Sequence, residues 1–522
     1  MQFTTVSFLL FAAAVLLVYY LLPQKCRWVF LLLSSYVFYL FAGIAYLGFI
    51  LLTTGSTCLA THFMARALEK QDTYLKENKQ TLSREEKKEY KAKVKNRNQV
   101  FMLACVVLNF AVLAVCKFCL AEPFRTLAQG GTLSFLTLGL PLGISFYMFQ
   151  SIGYVVDVYR GTVKAEKNIF KLGLFVSYFP QLIQGPISKF SELGPQLCAG
   201  KPFDGKQLSF GLQRLLWGFF KKLVIADRIA AAVIALKAPE FTGVGFFLLT
   251  VFYAVQIYAD FTGGIDMAMG ISQALGIDLQ ENFIRPFFSK NIAEYWRRWH
   301  ITLGEWMKSY IFYPISVSQP MLKLSKSARE KFGNFGKRLP VYVASIATWF
   351  VTGIWHGITP NFVLWGMLNC FVIVVSEELA PLYEKFHNRF PGLKETKGYG
   401  AFEMLRMFVL MNLIRIVDLF PNVGQYFARM GSLVTTFNFH ILWNGTMLKL
   451  GLTGLDYIII GCGIVLMFAV SLYQEKKGSV REMLWTKPAL RYSLVFILFV
   501  IVLLMGSYGI GYNASNFIYN QF

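Results

Sequence analysis

The chain consists of apolar runs of about 20 residues separated by short polar links. The first quarter holds runs near residues 4–22, 27–43, 46–64 and 99–116. Later runs lie near residues 241–259, 340–356, 403–420, 456–472 and 491–506, and another follows Pro360 and extends to Val375. Because a helix needs roughly 20 apolar residues to cross the hydrocarbon core of a bilayer, this pattern predicts an all-α, polytopic membrane protein.

Composition supports the same prediction. The 522 residues are 55% hydrophobic and 15% charged, whereas about 25% of the residues of a typical soluble domain are charged. The N-terminal run lacks the basic start and the small-residue cleavage site of a secretory signal, so we expect it to remain as the first span. Cys116 and Cys119 form a C-x-x-C, but no second Cys or His pair stands near them to complete a zinc site. We therefore expect no metal.

The net charge of +22 has two interpretations. Basic chains often bind nucleic acids, but membrane proteins also collect Lys and Arg in their cytoplasmic loops. The chain holds no pattern typical of a nucleic-acid module, so we attribute the charge to topology and expect no nucleic-acid partner.

Two basic segments predict the orientation of the chain. Lys25 and Arg27 link the first two apolar runs, and residues 66–97 carry 11 Lys or Arg against six Asp or Glu with helical polar periodicity. Both segments should face the cytoplasm, and their separation by two spans agrees with this. Following the spans to the end of the chain places both termini outside.

Two apolar segments are too broken to span cleanly. Gly and Pro interrupt residues Leu138–Phe146 and again residues Phe179–Ile187. Broken helices are tolerated at membrane depth where protein or a cavity satisfies the freed backbone groups. These segments therefore predict re-entrant pieces around a cavity.

Acidic residues follow the basic link that contains Lys221 and Lys222. Asp260 and Asp266 lie close to the apolar run at 241–259, where burial of a carboxylate is costly. They are either helix caps at the membrane interface or groups that line a cavity, and the sequence favours neither.

A histidine lies among tryptophans in residues 291–307, which have the periodicity of one amphipathic helix. His300 follows Trp296 by four residues, so both should share the aromatic face of that helix. One interpretation is an interfacial helix with a tryptophan belt and an incidental histidine. The other is a histidine that takes part in chemistry.

A second histidine, His356, ends the apolar run at 340–356. An ionisable residue inside a membrane span is a candidate functional group, although a packing histidine bonded to a carbonyl is an alternative. The chain contains no P-loop, H-E-x-x-H or G-x-S-x-G motif. A buried, neutral imidazole suits direct acyl transfer, in which it takes the proton from an attacking hydroxyl. The sequence identifies no donors for the oxyanion that such a reaction forms.

Several motifs resemble those of the membrane-bound O-acyltransferase (MBOAT) family, specifically its bacterial branch that acetylates alginate and other surface polysaccharides. The resemblance covers nearly the whole chain. It rests on Leu140–Phe146, Phe179–Ile187, Asp266–Ala268, Glu281–Phe283, Trp296–Ile301, Trp355–Gly357 and the tail Phe517–Phe522.

The resemblance implies a helical fold with re-entrant segments around a transmembrane tunnel. It implies that acetyl-CoA binds as donor substrate from the cytoplasm, with no tightly bound cofactor, and that His356 is the base and His300 the second site residue. The expected substrate or tunnel residues are Trp355, Trp299, Trp296, Asp266, Asn282 and Arg297.

The expected setting is a bacterial plasma membrane, with membrane lipids around the protein. An extracytoplasmic SGNH-hydrolase-like partner and a polysaccharide acceptor complete the expected system. The family also contains exporters that attach D-alanine to teichoic acid, which are the alternative. The segment Tyr313–Ser318 departs from the family pattern, which puts donor docking and partner choice in question.

We expect one membrane domain over residues 1–522. It comprises N-terminal spans at 1–120, a histidine-bearing core at 133–380 and C-terminal spans at 381–522. Two non-enzymatic classes remain as alternatives: a transporter that flips a glycan or lipid around broken helices, and a scaffold for a glycan-export complex. Both predict that loss of His356 leaves function largely intact.

Overall fold

The computed structural model describes residues 2–119, 126, 139–508 and 512. Within these residues the secondary structure is helical, and extended pairing is limited to an isolated bridge between Phe283 and Trp299. The predicted all-α fold is therefore confirmed. The tail Phe517–Phe522 and the start of the segment predicted at Leu138 lie outside the described residues.

The chain forms two compact units, and the first comprises Met1–Gly211 and Ile271–Gln280. Its helices are α1 (Val6–Leu21), α2 (Arg27–Leu40), α3 (Ile44–Glu77), α4 (Arg84–Phe118), α5 (Ile144–Arg160), α6 (Ile169–Ser177), α7 (Phe179–Gln184), α8 (Phe190–Ala199) and the N-terminal part of α9 (Gly205–Phe219).

The second unit comprises Leu212–Gly270 and Glu281–Phe522. It begins within α9, continues through a π-helix at Phe220–Ala226, and contains α10 (Asp227–Leu236), most of α11 (Val244–Ala274), α12 (Ile292–Arg298), α13 (Ile301–Met307), a π-helix at Lys308–Phe312, and α14 (Tyr313–Ser316). It goes on with α15 (Gln319–Phe332), α16 (Asn334–His356), α17 (Pro360–Glu378), α18 (Ala380–Arg389), α19 (Lys397–Arg415), α20 (Val423–Thr435), α21 (Gly454–Lys477), α22 (Val480–Trp485) and α23 (Pro488–Met505). Short 3₁₀ turns lie at Gln24–Cys26, Pro286–Phe288, Leu393–Glu395, Ile416–Leu419, Phe439–Leu442 and Thr446–Lys449.

Six of the described helices are long and apolar enough to cross a membrane: α3, α4, α11, α17, α21 and α23. Helix α1 is also apolar but has only 16 residues. The prediction of a multi-pass membrane protein is confirmed. The division into one domain with boundaries near 120 and 380, and the orientation of the termini, stay predictions.

The charged stretch at 66–97 continues two of these long helices. Helix α3 runs on to Glu77, and α4 begins at Arg84 after a capping box in which Ser83 and Glu86 satisfy each other's backbone N–H groups at 3.2 and 2.7 Å. Such a box stabilises a helix N-terminus because it pairs donors that have no partner inside the helix. The helical periodicity predicted here is confirmed.

Both broken segments are broken in the structure. Gly143 has a left-handed backbone (φ 68°) before α5, and a Cβ added there would lie 2.3 Å from the carbonyl oxygen of Leu182. A glycine is therefore required for the backbone to approach α7, which is only six residues long. The re-entrant character of these pieces and the tunnel around them stay predictions.

Close packing of α16 on α17 positions the second histidine. A Cβ added to Gly353 would lie 2.6 Å from the carbonyl oxygen of Phe362, and one added to Gly366 would lie 2.3 Å from that of Trp349. These two glycines let the helix backbones approach closely, as small residues do at membrane helix interfaces. The approach brings Trp365 of α17 next to His356 at the end of α16.

Candidate functional site

His300 lies at a break between two helices. Helix α12 ends at Arg298, Trp299 is extended, and His300 has a left-handed backbone with φ 47° and ψ 51° before α13 begins at Ile301. The prediction of one continuous amphipathic helix over 291–307 is therefore wrong, and His300 does not share a helical face with Trp296.

Backbone pairing with the preceding segment causes this break. The N–H of Ile284 donates to the carbonyl of Arg298 at 2.9 Å, and the N–H of Ile301 donates to the carbonyl of Asn282 at 3.0 Å. These bonds replace helical ones, because a carbonyl that accepts from another segment no longer requires a partner inside the helix. Non-glycine residues rarely adopt positive φ, so the pairing holds His300 in an uncommon conformation.

The side chain of Asn282 fixes the imidazole of His300. Its Oδ1 accepts from the backbone N–H of Thr302 at 3.1 Å and from the Thr302 hydroxyl at 2.9 Å, and it lies 3.2 Å from Nδ1 of His300. A backbone N–H can only donate, so the atom that faces Thr302 is the amide oxygen. Nδ1 of His300 must then carry a hydrogen, which leaves Nε2 as the acceptor atom of the neutral ring.

Aromatic rings surround His300, which is 2% exposed. The ring of Phe261 lies edge-on at 5.0 Å, and those of Trp355 and Phe283 lie at 6.1 and 6.3 Å. Burial in these surroundings, together with the smaller effect of the positive charge of Arg415, lowers the pKa of His300 to about 3. The imidazole is therefore neutral at physiological pH.

Trp299 contacts both an aromatic ring and a cation. Tyr295 stacks on it at 5.7 Å, and the guanidinium of Arg415 lies 4.2 Å from its ring centroid. Arg415 is itself only 3% exposed. A cation–π contact in such a desolvated place contributes on the order of 2 kcal/mol, so it holds Trp299, and with it the adjacent His300.

His356 is buried against two indole rings at the C-terminus of α16. The ring centroids of Trp355 and Trp365 each lie 4.8 Å from that of the imidazole, and both rings are edge-on. The following residue is Gly357, where an added Cβ would lie 2.1 Å from the ring of Phe362. The helix therefore ends tightly against α17 with the histidine inside.

Three tryptophans form an indole cluster beside His356. Trp296 lies 4.8 Å from Trp349 and 5.9 Å from Trp365, and Trp349 lies 6.0 Å from Trp365. The indole nitrogens of Trp296 and Trp365 are buried and have no hydrogen-bond partner among the described residues.

Ring contacts connect the two predicted catalytic residues, because Trp355 contacts both His300 and His356. The structure thus brings together most of the site residues that the sequence predicts: His300, His356, Trp355, Trp299, Trp296 and Asn282. Their assignment to catalysis or to a tunnel stays a prediction.

Asp266 has a different set of partners. It lies inside α11 and pairs with Arg214 at 2.8 Å and with the ammonium group of Lys221. Asp260, on the same helix, pairs with Lys222 at 2.6 Å. The interpretation of these acids as helix caps is wrong, and the basic link is a buried π-helix whose lysines neutralise them.

Arg297 is exposed on the surface of α12. The neighbouring Arg298 binds Glu475 at 2.9 Å and Glu294 at 2.8 Å. The structure therefore does not bring Arg297 to the histidines. Within the described ranges no group of three or more His, Cys, Asp and Glu side chains could hold a metal ion.

Three residues around the site are not among those predicted from the sequence: Trp365, Arg415 and Arg214. Trp365 carries no distinguishing spacing, because tryptophans are common in membrane spans. Arg415 lies inside the apolar run at 403–420, and the cost of an ionisable residue in a span is a signal that identifies it. A signal does exist for Arg214, since a buried Asp266 requires a cation from another segment.

Comparison with known proteins places the chain in a family. Residues 166–417 match the sequence model of the membrane-bound O-acyltransferase family. The probable alginate O-acetylase of Azotobacter vinelandii is 32% identical over 376 residues, which cover 70% of this chain and 66% of that protein.

Two other relatives act on different polymers, according to their names. The peptidoglycan O-acetyltransferase of Helicobacter pylori is 33% identical over 284 residues (49% of this chain, 51% of that protein), and the teichoic acid D-alanyltransferase of Bacillus subtilis is 26% identical over 261 residues (49% and 62%). The chain thus spans less than two thirds of the length of these relatives. On the family match, the motifs and the helical membrane fold, the chain belongs to the membrane-bound O-acyltransferase family.

Proposed function

We propose that the protein is a membrane O-acetyltransferase that passes the acetyl group of cytoplasmic acetyl-CoA across the bilayer for O-acetylation of an extracellular polysaccharide. The observation that carries this proposal is the pair of buried histidines joined through Trp355 in a chain of this family. The names of the alginate and peptidoglycan acetylating relatives support acetate as the acyl group and a glycan as the final acceptor.

In the proposed reaction His356 is the general base. Its neutral imidazole accepts the proton of the acceptor hydroxyl while the hydroxyl oxygen bonds to the acetyl carbonyl carbon. The carbonyl electron pair moves to oxygen, which becomes an oxyanion. When the carbonyl reforms, the C–S bond breaks, and the coenzyme A thiolate takes the proton from the imidazolium. The acetyl ester and coenzyme A thiol are the balanced products.

His300 positions the substrate in this scheme. Because its Nδ1 hydrogen is directed at Asn282, the neutral ring presents Nε2 as an acceptor and has no second hydrogen to donate to an oxyanion. It therefore suits an O–H or N–H group of a substrate better than the carbonyl oxygen of the thioester.

The wider system follows from the family resemblance. Acetyl-CoA enters as a substrate from the cytoplasmic side of a bacterial plasma membrane, and both chain termini lie outside. An SGNH-hydrolase-like partner on the outer side completes transfer to the sugar. Burial of the catalytic rings keeps water from the thioester, which limits hydrolysis of the donor.

The test is ester-linked acetate on extracellular glycans from cells that express wild-type or His356→Ala protein at matched membrane levels. We expect the acetate to disappear in the variant, because the attacking hydroxyl loses its base. The matched control is His440→Ala, which removes an exposed histidine and should leave acetate at the wild-type level.

Other results would point to other functions. Unchanged acetate in His356→Ala cells would overturn the assignment of the base and favour a transporter or scaffold. D-alanine esters in place of acetate esters in the wild type would favour the activity named for the Bacillus subtilis relative.

A further inference from the structure

Trp365 carries a buried hydrogen-bond donor that nothing in the described protein satisfies. The residue is 3% exposed, and its indole nitrogen has no partner among the described residues. Nearly all buried polar groups in proteins are paired, and an unpaired donor costs roughly 1–3 kcal/mol. The position of this donor therefore needs an explanation.

The position of the donor suggests that explanation. The ring of Trp365 lies 4.8 Å from that of His356, centroid to centroid. The ring is held there by the close contact of Gly366 with the backbone of residue 349 and by the indole of Trp296. A rigid N–H donor beside a general base, inside an apolar cluster, is the arrangement that stabilises charge developing on a substrate oxygen.

We propose that the indole N–H of Trp365 donates a hydrogen bond to the acetyl carbonyl oxygen and stabilises the oxyanion that forms as the hydroxyl attacks. Trp365 is then a catalytic residue next to His356, and the ligand of this position is the carbonyl group of a thioester. This inference rests on the proposed acetyl transfer.

The step is balanced without any further reactant. The bond from the acceptor oxygen to the carbonyl carbon forms, the C=O π electrons move to oxygen, and the acceptor proton goes to His356. The indole keeps its own hydrogen throughout, because it donates a hydrogen bond and does not transfer a proton. Since the charge on oxygen is larger in the transition state than in the thioester, the bond lowers the barrier more than it tightens substrate binding.

The decisive variant is Trp365→Phe, which keeps an aromatic ring and removes the N–H. Inverted membrane vesicles from cells that make the acceptor glycan are supplied with labelled acetyl-CoA, and the rate of acetate transfer is measured against acetyl-CoA concentration. We expect kcat to fall about 100-fold, the effect typical of removing one oxyanion donor. We expect KM to change less than threefold, because the lost bond is made mainly in the transition state.

Trp349→Phe is the matched control. Trp349 belongs to the same indole cluster and loses the same atoms, but its indole nitrogen is not among the unpartnered buried groups. Its kcat should stay within about threefold of the wild type. The melting temperatures of both variants in detergent show whether either one has lost folded protein.

The outcomes separate the two proposals. A Trp365→Phe protein with normal melting temperature and kcat near the wild-type value would overturn the donor role and leave the indole as packing against an ordered water. An equal loss of kcat in both tryptophan variants would also overturn it, since the effect would then come from the shape of the cluster. Absence of transfer in wild-type vesicles, with glycan and acetyl-CoA present, would instead contradict the proposed function itself.

Discussion

Oδ1 of Asn282 lies 3.2 Å from Nδ1 of His300 and accepts at the same time from the backbone N–H and the hydroxyl of Thr302. One amide oxygen thus sets both the ring orientation and the tautomer of the histidine. Partners of this kind fix which ring nitrogen is available for chemistry. Asn282 therefore controls His300, although the two residues are 18 positions apart in the chain.

The depressed pKa of His300 predicts a pH-dependent stability. Its pKa is about 3 in the folded protein and near 6.5 in an unfolded chain. Below pH 6.5 the unfolded state binds a proton that the folded state does not, so the free energy of unfolding falls as the pH falls. The loss is roughly 2 kcal/mol between pH 6.5 and 5.

Melting temperatures in detergent from pH 7.5 to 5 measure this effect. The His300→Asn variant should lose this part of the acid sensitivity, whereas His440→Asn, at an exposed position, should keep it. Identical pH dependence in the wild type and His300→Asn would show that folding does not lower the pKa of His300.

The buried ion pairs of Asp266 with Lys221 and Arg214 should stabilise the folded protein. Asp266→Asn removes the carboxylate that neutralises Lys221, whereas Arg214 keeps a second partner in Glu281 at 2.7 Å. Breaking a buried pair in this way costs about 3–5 kcal/mol. Adding Lys221→Met should recover part of that loss, because the buried positive charge is removed as well. Chemical unfolding of the single and double variants in detergent measures the coupling.

Asp278→Asn is the control for this cycle. Its partner is Lys201 at 3.5 Å, and the two side chains are 54% and 37% exposed, so the change in unfolding free energy should stay below about 1 kcal/mol. If the double variant were no more stable than Asp266→Asn, the pairing would not be the source of the effect.

Gly366 should be required for activity as well as for packing. A methyl group there would lie 2.3 Å from the carbonyl oxygen of Trp349, so Gly366→Ala forces α17 away from α16 and moves Trp365 relative to His356. A displacement of about 1 Å at a catalytic site can cost 100-fold in rate. Acetate transfer per folded protein should therefore fall at least 10-fold.

Gly461→Ala is the comparison variant, because an added Cβ there meets no atom within 4 Å. It should leave transfer unchanged and raise stability slightly, since alanine is the better helix former. Normal transfer in Gly366→Ala would mean that α16 and α17 tolerate a wider spacing.

Apolar periodicity predicts much of this fold because each membrane helix must satisfy its own backbone. The spans near 46–64, 99–116 and 456–472 all correspond to helices, and the polar continuations of the first two follow from the same periodicity. Periodicity fails at His300, where backbone bonds from the segment at 282–284 override it. Local sequence contains no information on that pairing.

The sequence identifies those site residues whose burial in a membrane costs free energy. His356 and Asp266 are noticeable because a span rarely contains an ionisable group. Their partners are not noticeable, since Trp365 and Lys221 are ordinary for a span and a basic link. The role of Asp266 in ion pairing, away from the imidazoles, depends on which cations the fold brings to it.

The left-handed backbone conformation at residue 300 limits which residue types can occupy that position. Asn, Asp and His adopt positive φ several times more often than other non-glycine residues, whereas a β-branched or bulky residue would first have to overcome backbone strain. The chain conformation therefore favours Asn, Asp, His and glycine at this position before any selection for chemistry acts. A library of variants at residue 300 should return this narrow set even when it is screened for folding alone.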